Sequence, residues 1–121
     1  MHMTTNIREA ADVTIVDISG RIVLGDESAA LRDLVRHMLS VGHKKILFNL
    51  ANVNHIDSAG LGHLVGAFTS VQKQAGELKL LGLTNKVHDL MQITRLYTVF
   101  EIIDDEAAAV KSFGKSAGAV G

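Results

Sequence analysis

A short run near the middle of the chain combines a carboxylate, a hydroxyl and two glycines. It reads Asp57-Ser58-Ala59-Gly60-Leu61-Gly62 and follows the apolar stretch 44–50. Apolar residues then recur at helical spacing, at Leu61, Leu64, Val65, Phe68 and Val71. This pattern places Ser58 at the start of a helix, with Asp57 or Ser58 as the N-cap. A serine hydroxyl exposed at that position can accept a phosphate.

The serine at position 58 could serve as a structural cap or have a functional role. Ser and Asp are ordinary capping residues, and most serines at a helix start only satisfy a backbone N–H group. Gly60 and Gly62 favour a functional role, because each costs about 0.5–1 kcal/mol relative to alanine within a helical turn. A helix start built only for stability would avoid both glycines. We interpret them as room for another protein's backbone, or for a nucleotide, to approach Ser58.

Composition limits the classes of function. The 121 residues suffice for one domain whose core needs no metal or disulfide support. A formal net charge of −1 does not favour a nucleic-acid surface, which usually needs clustered basic residues, and the absence of cysteine excludes thiolate chemistry. The chain has no apolar run of ~18 residues and no signal-peptide pattern. We therefore expect a cytoplasmic protein without a membrane span.

Histidines near the serine raise the question of catalysis. His55, Asp57, Ser58 and His63 nominally supply a Ser-His-Asp set. His63, however, lies roughly 140° around a helix from Ser58, so it would not face the hydroxyl. Ser58 is not in a Gly-Xaa-Ser-Xaa-Gly elbow, because Ile56 occupies the position of the first glycine, and the sequence lacks a phosphate-binding Gly-Xaa-Xaa-Xaa-Xaa-Gly-Lys loop. We expect no enzyme, no metal site and no cofactor, and direct nucleotide binding is a weaker alternative.

Strand-like and helix-like stretches alternate along the chain. Two β-rich runs, 6–11 and 13–19, predict a hairpin whose second strand ends at Gly20. The later predictions are a helix stopped by Gly42, a strand over 44–50, a connection over 51–57, a helix over 58–75, a strand over 77–83, a helix over 85–95, a strand over 98–103 and a helix over 105–113. The fold class is therefore α/β, a mixed sheet with an N-terminal hairpin, later mainly parallel strands and about four helices. The small residues of 114–121 predict a flexible C-terminal tail.

The stretch Asn54 to Gly62 resembles the signature of STAS domains, specifically the bacterial anti-sigma factor antagonists. In that family an Asp-Ser-(Ser/Ala)-Gly-Leu-Gly segment carries a regulatory phosphoserine. The resemblance covers about residues 6–113, including 20–22, 42–45, 76–80 and 100–102, and predicts a single STAS domain over 4–113. Carried over by position, Ser58 would be the phosphoacceptor and Asp57 its acidic neighbour. Ala59 leaves Ser58 as the only hydroxyl in the motif.

The resemblance implies an anti-sigma factor antagonist whose affinity for its partner is switched by phosphorylation. The implied partners are a serine kinase that is also an anti-sigma factor, bound when Ser58 is unphosphorylated, and a phosphoserine phosphatase. The implied partner-binding residues are Asn54, Asp57, Ala59, Gly60, Leu61, Gly62, His63 and Asp26. Asp26 and Glu27 lie a few residues later than the acidic residue of many members. The alternative is a non-phosphorylated STAS scaffold, a subunit of a transporter or signalling assembly, and the sequence also leaves a homodimer open.

Overall fold

A computed structural model describes residues 3–23 and 25–113, with the side chains of all but 26–28. The elements are β1 (Thr4–Ala10), β2 (Val13–Ile22), α1 (Asp26–Ser40), β3 (Lys45–Ile56), α2 (Ser58–Lys73), β4 (Glu77–Leu81), α3 (Asn85–Thr94), a 3₁₀ turn (Leu96–Thr98), β5 (Ile102–Ile103) and α4 (Glu106–Ser112). The predicted tail over 114–121 lies outside the described residues. No helix in the described part of the chain is long and apolar enough to cross a membrane.

The strands form one sheet in the order β1-β2-β3-β4-β5. β1 and β2 pair antiparallel as a hairpin, and each later neighbour pairs parallel. The predicted α/β class and mixed sheet are therefore confirmed. Parallel strands joined by helices bring their carboxyl ends to the same side of the sheet. We call this side, where β2 ends at Ile22 and β3 at Ile56, the carboxyl edge.

The central strands of the sheet are buried on both faces, whereas the edge strand β1 is largely exposed. On one face α1, α2 and α3 cover a large apolar cluster that includes Val16, Phe48 and Leu64. On the other face a smaller cluster packs under α4 and consists of Val13, Ile15, Leu47, Leu81, Ala109 and Phe113. Successive side chains of a strand point to opposite faces, so a central strand covered on both sides must be apolar throughout. The run 46–48 of β3 is fully buried for this reason.

Two predicted strand ends at the carboxyl edge are wrong. β2 continues through Gly20, which has a φ of 97°, to Ile22. β3 does not stop at Leu50, and residues 51–56 extend it in place of the predicted connection. The two extensions pair with each other across shifts in register. Asn52 and Asn54 are exposed positions of this strand, where polar side chains face solvent.

The predicted strand over 98–103 is wrong for most of its length. Arg95 ends α3 in the left-handed conformation, with a φ of 61°, and the chain then forms the 3₁₀ turn. Only Ile102 and Ile103 pair with β4. Phe100, predicted as a strand residue, is buried instead and packs against the Phe68 ring in a T-shaped arrangement. The sheet therefore ends in a strand of two residues.

Candidate functional site

The carboxylate of Asp57 fixes the start of α2. Asp57 is the N-cap, and its Oδ1 accepts a hydrogen bond of 2.7 Å from the Gly60 amide. The Asp57 amide donates to the carbonyl oxygen of Ile22 at 3.2 Å. Both bonds satisfy amides at the helix start, where intrahelical partners are lacking. Asp57 rather than Ser58 therefore performs the capping.

Ser58 is the first residue of α2 and is exposed to solvent. Within residues 3–23 and 25–113, its hydroxyl has no hydrogen-bond partner. The capping role that would have explained the serine is already filled by the neighbouring carboxylate. An exposed hydroxyl on a fixed helix start is accessible to an enzyme that transfers a phosphoryl group.

The two glycines of the first turn differ in their surroundings. Gly60 is buried, and a Cβ there would overlap the carbonyl oxygen of Ile22 and lie 2.6 Å from its carbonyl carbon. The interpretation of both glycines as room for a partner is therefore wrong for Gly60, whose absent side chain lets α2 pack on the end of β2. Gly62 is exposed, and a Cβ there would meet no atom within 4 Å. For Gly62 the interpretation stays a prediction.

The other predicted partner-binding residues are spread around this helix start. Asn54 is exposed near the end of β3, Ala59 and His63 are half-buried, and Leu61 is buried in the core. Asp26 is the first residue of α1, and its side chain is not among those described. The structure thus brings Asp57, Ser58 and Gly62 together on one turn, while the side chain of Leu61 points inward.

An open cavity of about 570 Å³ lies at the carboxyl edge and is lined by Arg21, Asn54, His55 and Lys86. Arg21 and His55 are paired across β2 and β3, and Lys86 lies in the first turn of α3. Sequence reasoning missed Arg21 and Lys86 as site residues. They are far apart in the chain. Arg21 reaches the cavity on a strand extension that pairs it with His55, and Lys86 comes from α3. Across residues 3–23 and 25–113, no group of three His, Asp or Glu side chains could hold a metal ion.

A second charged region lies on the sheet face covered by α4. The Arg8 guanidinium donates to Asp17 at 2.7 and 3.1 Å and to Glu106, the first residue of α4, at 2.8 Å. Asn49 donates to the same Asp17 carboxylate. The hydrogen bonds from Arg8 hold the pKa of Asp17 and the pKa of Glu106 below their usual values. These contacts fasten α4 to the hairpin.

Comparison with known proteins identifies the family. The sequence profile of the STAS domain matches residues 4–109. This chain belongs to the STAS domain family. A relative from Listeria monocytogenes named anti-sigma-B factor antagonist is 34% identical over 106 residues, which cover 84% of this chain and 90% of the relative. The resemblance that the motif predicted is therefore confirmed.

Solved structures agree with this STAS fold. A crystal structure from Thermotoga maritima superposes with a TM-score of 0.82 at 24% identity, covering 89% of this chain and 92% of the other. The Bacillus cell fate determinant SpoIIAA in its phosphorylated form superposes with a TM-score of 0.71 at 16% identity, covering 90% and 98%. At these identities the likeness shows the fold alone. SpoIIAA itself has been solved in an unphosphorylated and a phosphorylated form.

Proposed function

We propose that this STAS domain is an anti-sigma factor antagonist, a module that binds an anti-sigma factor with serine kinase activity. Binding occurs when Ser58 is unphosphorylated, and the kinase then phosphorylates Ser58 and loses affinity for the product. A phosphoserine phosphatase restores the binding form. The observation that carries the proposal is the exposed Ser58 hydroxyl, which has no capping role because Asp57 is the N-cap. The name of the Listeria relative supports the same role.

Phosphorylation at this position should act on the interface and not on the fold. A phosphate at a helix N-terminus is locally favourable, because backbone amides and the helix dipole stabilise an anion there. The Gly60 amide is occupied by Asp57, and the amides of Ser58 and Ala59 are in place to solvate an added phosphate. We therefore expect the phosphorylated and unphosphorylated domains to share one structure.

The partner would experience a large change of charge on the same surface. A phosphoserine adds about −1.5 to −2 charges at pH 7, directly beside the Asp57 carboxylate. A partner surface that fits a neutral hydroxyl would then face like-charge repulsion and an unfavourable desolvation. A loss of about 3 kcal/mol is enough to weaken binding more than a hundredfold.

Phosphorylation assays test the proposal directly. The purified chain is incubated with ATP and each anti-sigma factor kinase of its organism in turn, and modification is followed by intact-mass and peptide mass spectrometry. We expect one phosphate, on Ser58, and none on Ser58→Ala. Ser70→Ala is the matched control, because it removes a hydroxyl further along the same helix and should be phosphorylated at the wild-type rate.

Two results would contradict the proposal. One is a phosphate on Thr69 or Ser70, because the phosphoacceptor would then lie away from the helix start. The other is a chain that no kinase binds or modifies, which would favour the alternative of a non-phosphorylated scaffold. Circular dichroism of Ser58→Ala is the control for folding, because it distinguishes the loss of the phosphoacceptor from the loss of the fold.

A further inference from the structure

The cavity lined by Arg21, Asn54, His55 and Lys86 concentrates cationic side chains, and we call it the cationic pocket. Three of its four residues carry or can carry a positive charge. Among the residues that the structure describes, no carboxylate forms an ion pair with Arg21, His55 or Lys86. Like charges held together without a counter-charge repel each other, so the pocket is suited to an anion.

Arg21 gives a second and independent indication. Its Nε atom is buried, yet it has no hydrogen-bond partner. A buried donor without a partner is destabilising, and most such groups in folded proteins are satisfied. An oxygen anion in the cationic pocket would supply the missing acceptor. A guanidinium is also well matched to a carboxylate, which it can bind through two parallel hydrogen bonds.

An apolar cavity adjoins the cationic pocket. It has a volume of about 250 Å³ and is lined by Ile56 and Leu90 together with the shared residues His55 and Lys86. Both cavities are open, and neither is lined by a Phe, Tyr or Trp side chain of the described residues. Sites for small molecules enclose most of their ligand and are rich in apolar and aromatic side chains. A broad open surface of this kind better fits a segment of another protein.

We propose that the cationic pocket receives an aspartate or glutamate side chain of the anti-sigma factor kinase, with an apolar neighbour of that side chain on Ile56 and Leu90. This inference rests on the proposed function and extends it, because it names the chemistry of the partner. The pocket lies on the same edge as Ser58, since β3 leads from His55 through Ile56 and Asp57 directly to α2. The docked carboxylate would position the kinase over the Ser58 hydroxyl.

Charge reversal in the cationic pocket tests the inference. Lys86→Glu is the variant of choice because the side chain is exposed, so the fold should tolerate the change. Lys111→Glu is the matched control, with the same change of net charge at an exposed position of α4. Binding of the kinase is measured by calorimetry, beside thermal unfolding of each variant. We expect Lys86→Glu to weaken binding at least tenfold and Lys111→Glu to leave it unchanged, with both variants folded. Arg21→Gln should weaken binding in the same direction.

A rescue experiment sharpens the result. Exposed Asp and Glu residues of the kinase are changed to Lys one at a time, and one of these variants should restore binding to Lys86→Glu while weakening binding to the wild-type chain. Equal effects of Lys86→Glu and Lys111→Glu would overturn the inference while leaving the proposed function intact. A wild-type chain that binds no kinase would overturn both. Submillimolar binding of inorganic phosphate, seen as saturable NMR shifts at Arg21 and Lys86, would identify a small-phosphate site and also overturn it.

Discussion

The polar side chains of two regions differ in whether they are paired within the chain. On the α4 side of the sheet, Arg8 is hydrogen-bonded to both Asp17 and Glu106, and Asp17 is also bonded to Asn49. At the carboxyl edge, Ser58, Arg21 and Lys86 have no side-chain partner among residues 3–23 and 25–113. The paired region joins elements of the fold. The proposed function assigns the unpaired groups of the carboxyl edge to contacts with another molecule.

Two glycines at the start of α2 show a similar contrast between a residue that the fold requires and one that it does not. Gly60 is packed against Ile22, so its lack of a side chain is required by the fold. Gly62, two residues later, faces open space, so the fold does not require it. Residues that look alike in the motif therefore serve different purposes. Substitutions in the paired or packed set should change the free energy of unfolding, and those in the open set should change binding.

The largest effect on stability is expected from Gly60→Ala. The added methyl group would overlap the Ile22 carbonyl, and α2 could not keep both its position and its cap, so we expect a loss of about 3 kcal/mol. Urea unfolding measures the change. Gly66→Ala is the control, because Gly66 is also helical but has open space around its Cα, and it should be as stable as the wild type or up to about 1 kcal/mol more stable. A Gly60→Ala variant as stable as Gly66→Ala would contradict the packing explanation.

A smaller effect is expected from Arg8→Gln, about 1 kcal/mol at pH 7, since the ion pairs are partly exposed. Arg8 lowers the pKa of Asp17 and the pKa of Glu106, whose ordinary values are 3.8 and 4.5. A carboxyl whose pKa is lowered by folding stabilises the protein above its unfolded pKa and loses that contribution as the pH falls. The difference in unfolding free energy between wild type and Arg8→Gln should therefore shrink from pH 7 to pH 3.

Urea titrations at the two pH values check this prediction, and kinase binding at pH 7 should be the same for both proteins. A difference that stays constant with pH would show that Arg8 acts through packing and not through its charge. Weaker kinase binding by Arg8→Gln would contradict the prediction that the α4 side of the sheet stabilises the fold without taking part in binding.

The smallest effect on stability is expected from Gly62→Ala, between no change and a gain of about 1 kcal/mol, because the residue is helical and unobstructed. Its effect on function should be larger. The methyl group would stand on the exposed side of the turn that carries Ser58, slowing phosphorylation and weakening the complex together. Gly66→Ala provides the matched gain in helix propensity one turn further along. Equal phosphorylation rates of the two variants would contradict the prediction that Gly62 makes room for the kinase.

The sequence predicted the alternation of strands and helices, because apolar periodicity and glycine stops are local signals. It predicted Asp57 as one of two candidate caps for the same reason. It did not predict that β3 reaches Ile56, because the exposed Asn52 and Asn54 resemble loop residues and only pairing with β2 makes them a strand. The short β5 was missed because Phe100 is buried without being in a strand.

In the candidate site, too, local features were predictable from the sequence and long-range contacts were not. The place of Ser58 at a helix start follows from neighbouring residues and was predictable. The role of Gly60 depends on a contact with Ile22, which lies far earlier in the sequence, and no local pattern marks it. The cationic pocket combines Arg21 and His55, which are paired across the extended strands, with Lys86 of α3, so no local sequence pattern marks it.

Calorimetric binding of the kinase to two forms of the chain, with Ser58 unmodified and with Ser58 phosphorylated, tests the central claim most directly. Thermal unfolding of the same two samples reports whether the fold changes. We predict that the phosphorylated form binds at least a hundredfold more weakly, a loss of about 3 kcal/mol, and unfolds at nearly the same temperature. Ser58→Asp, which keeps a negative charge at the helix start, should weaken binding in the same direction with stability within about 1 kcal/mol of the wild type. Equal affinity of the phosphorylated and unmodified forms would contradict the claim that Ser58 switches binding.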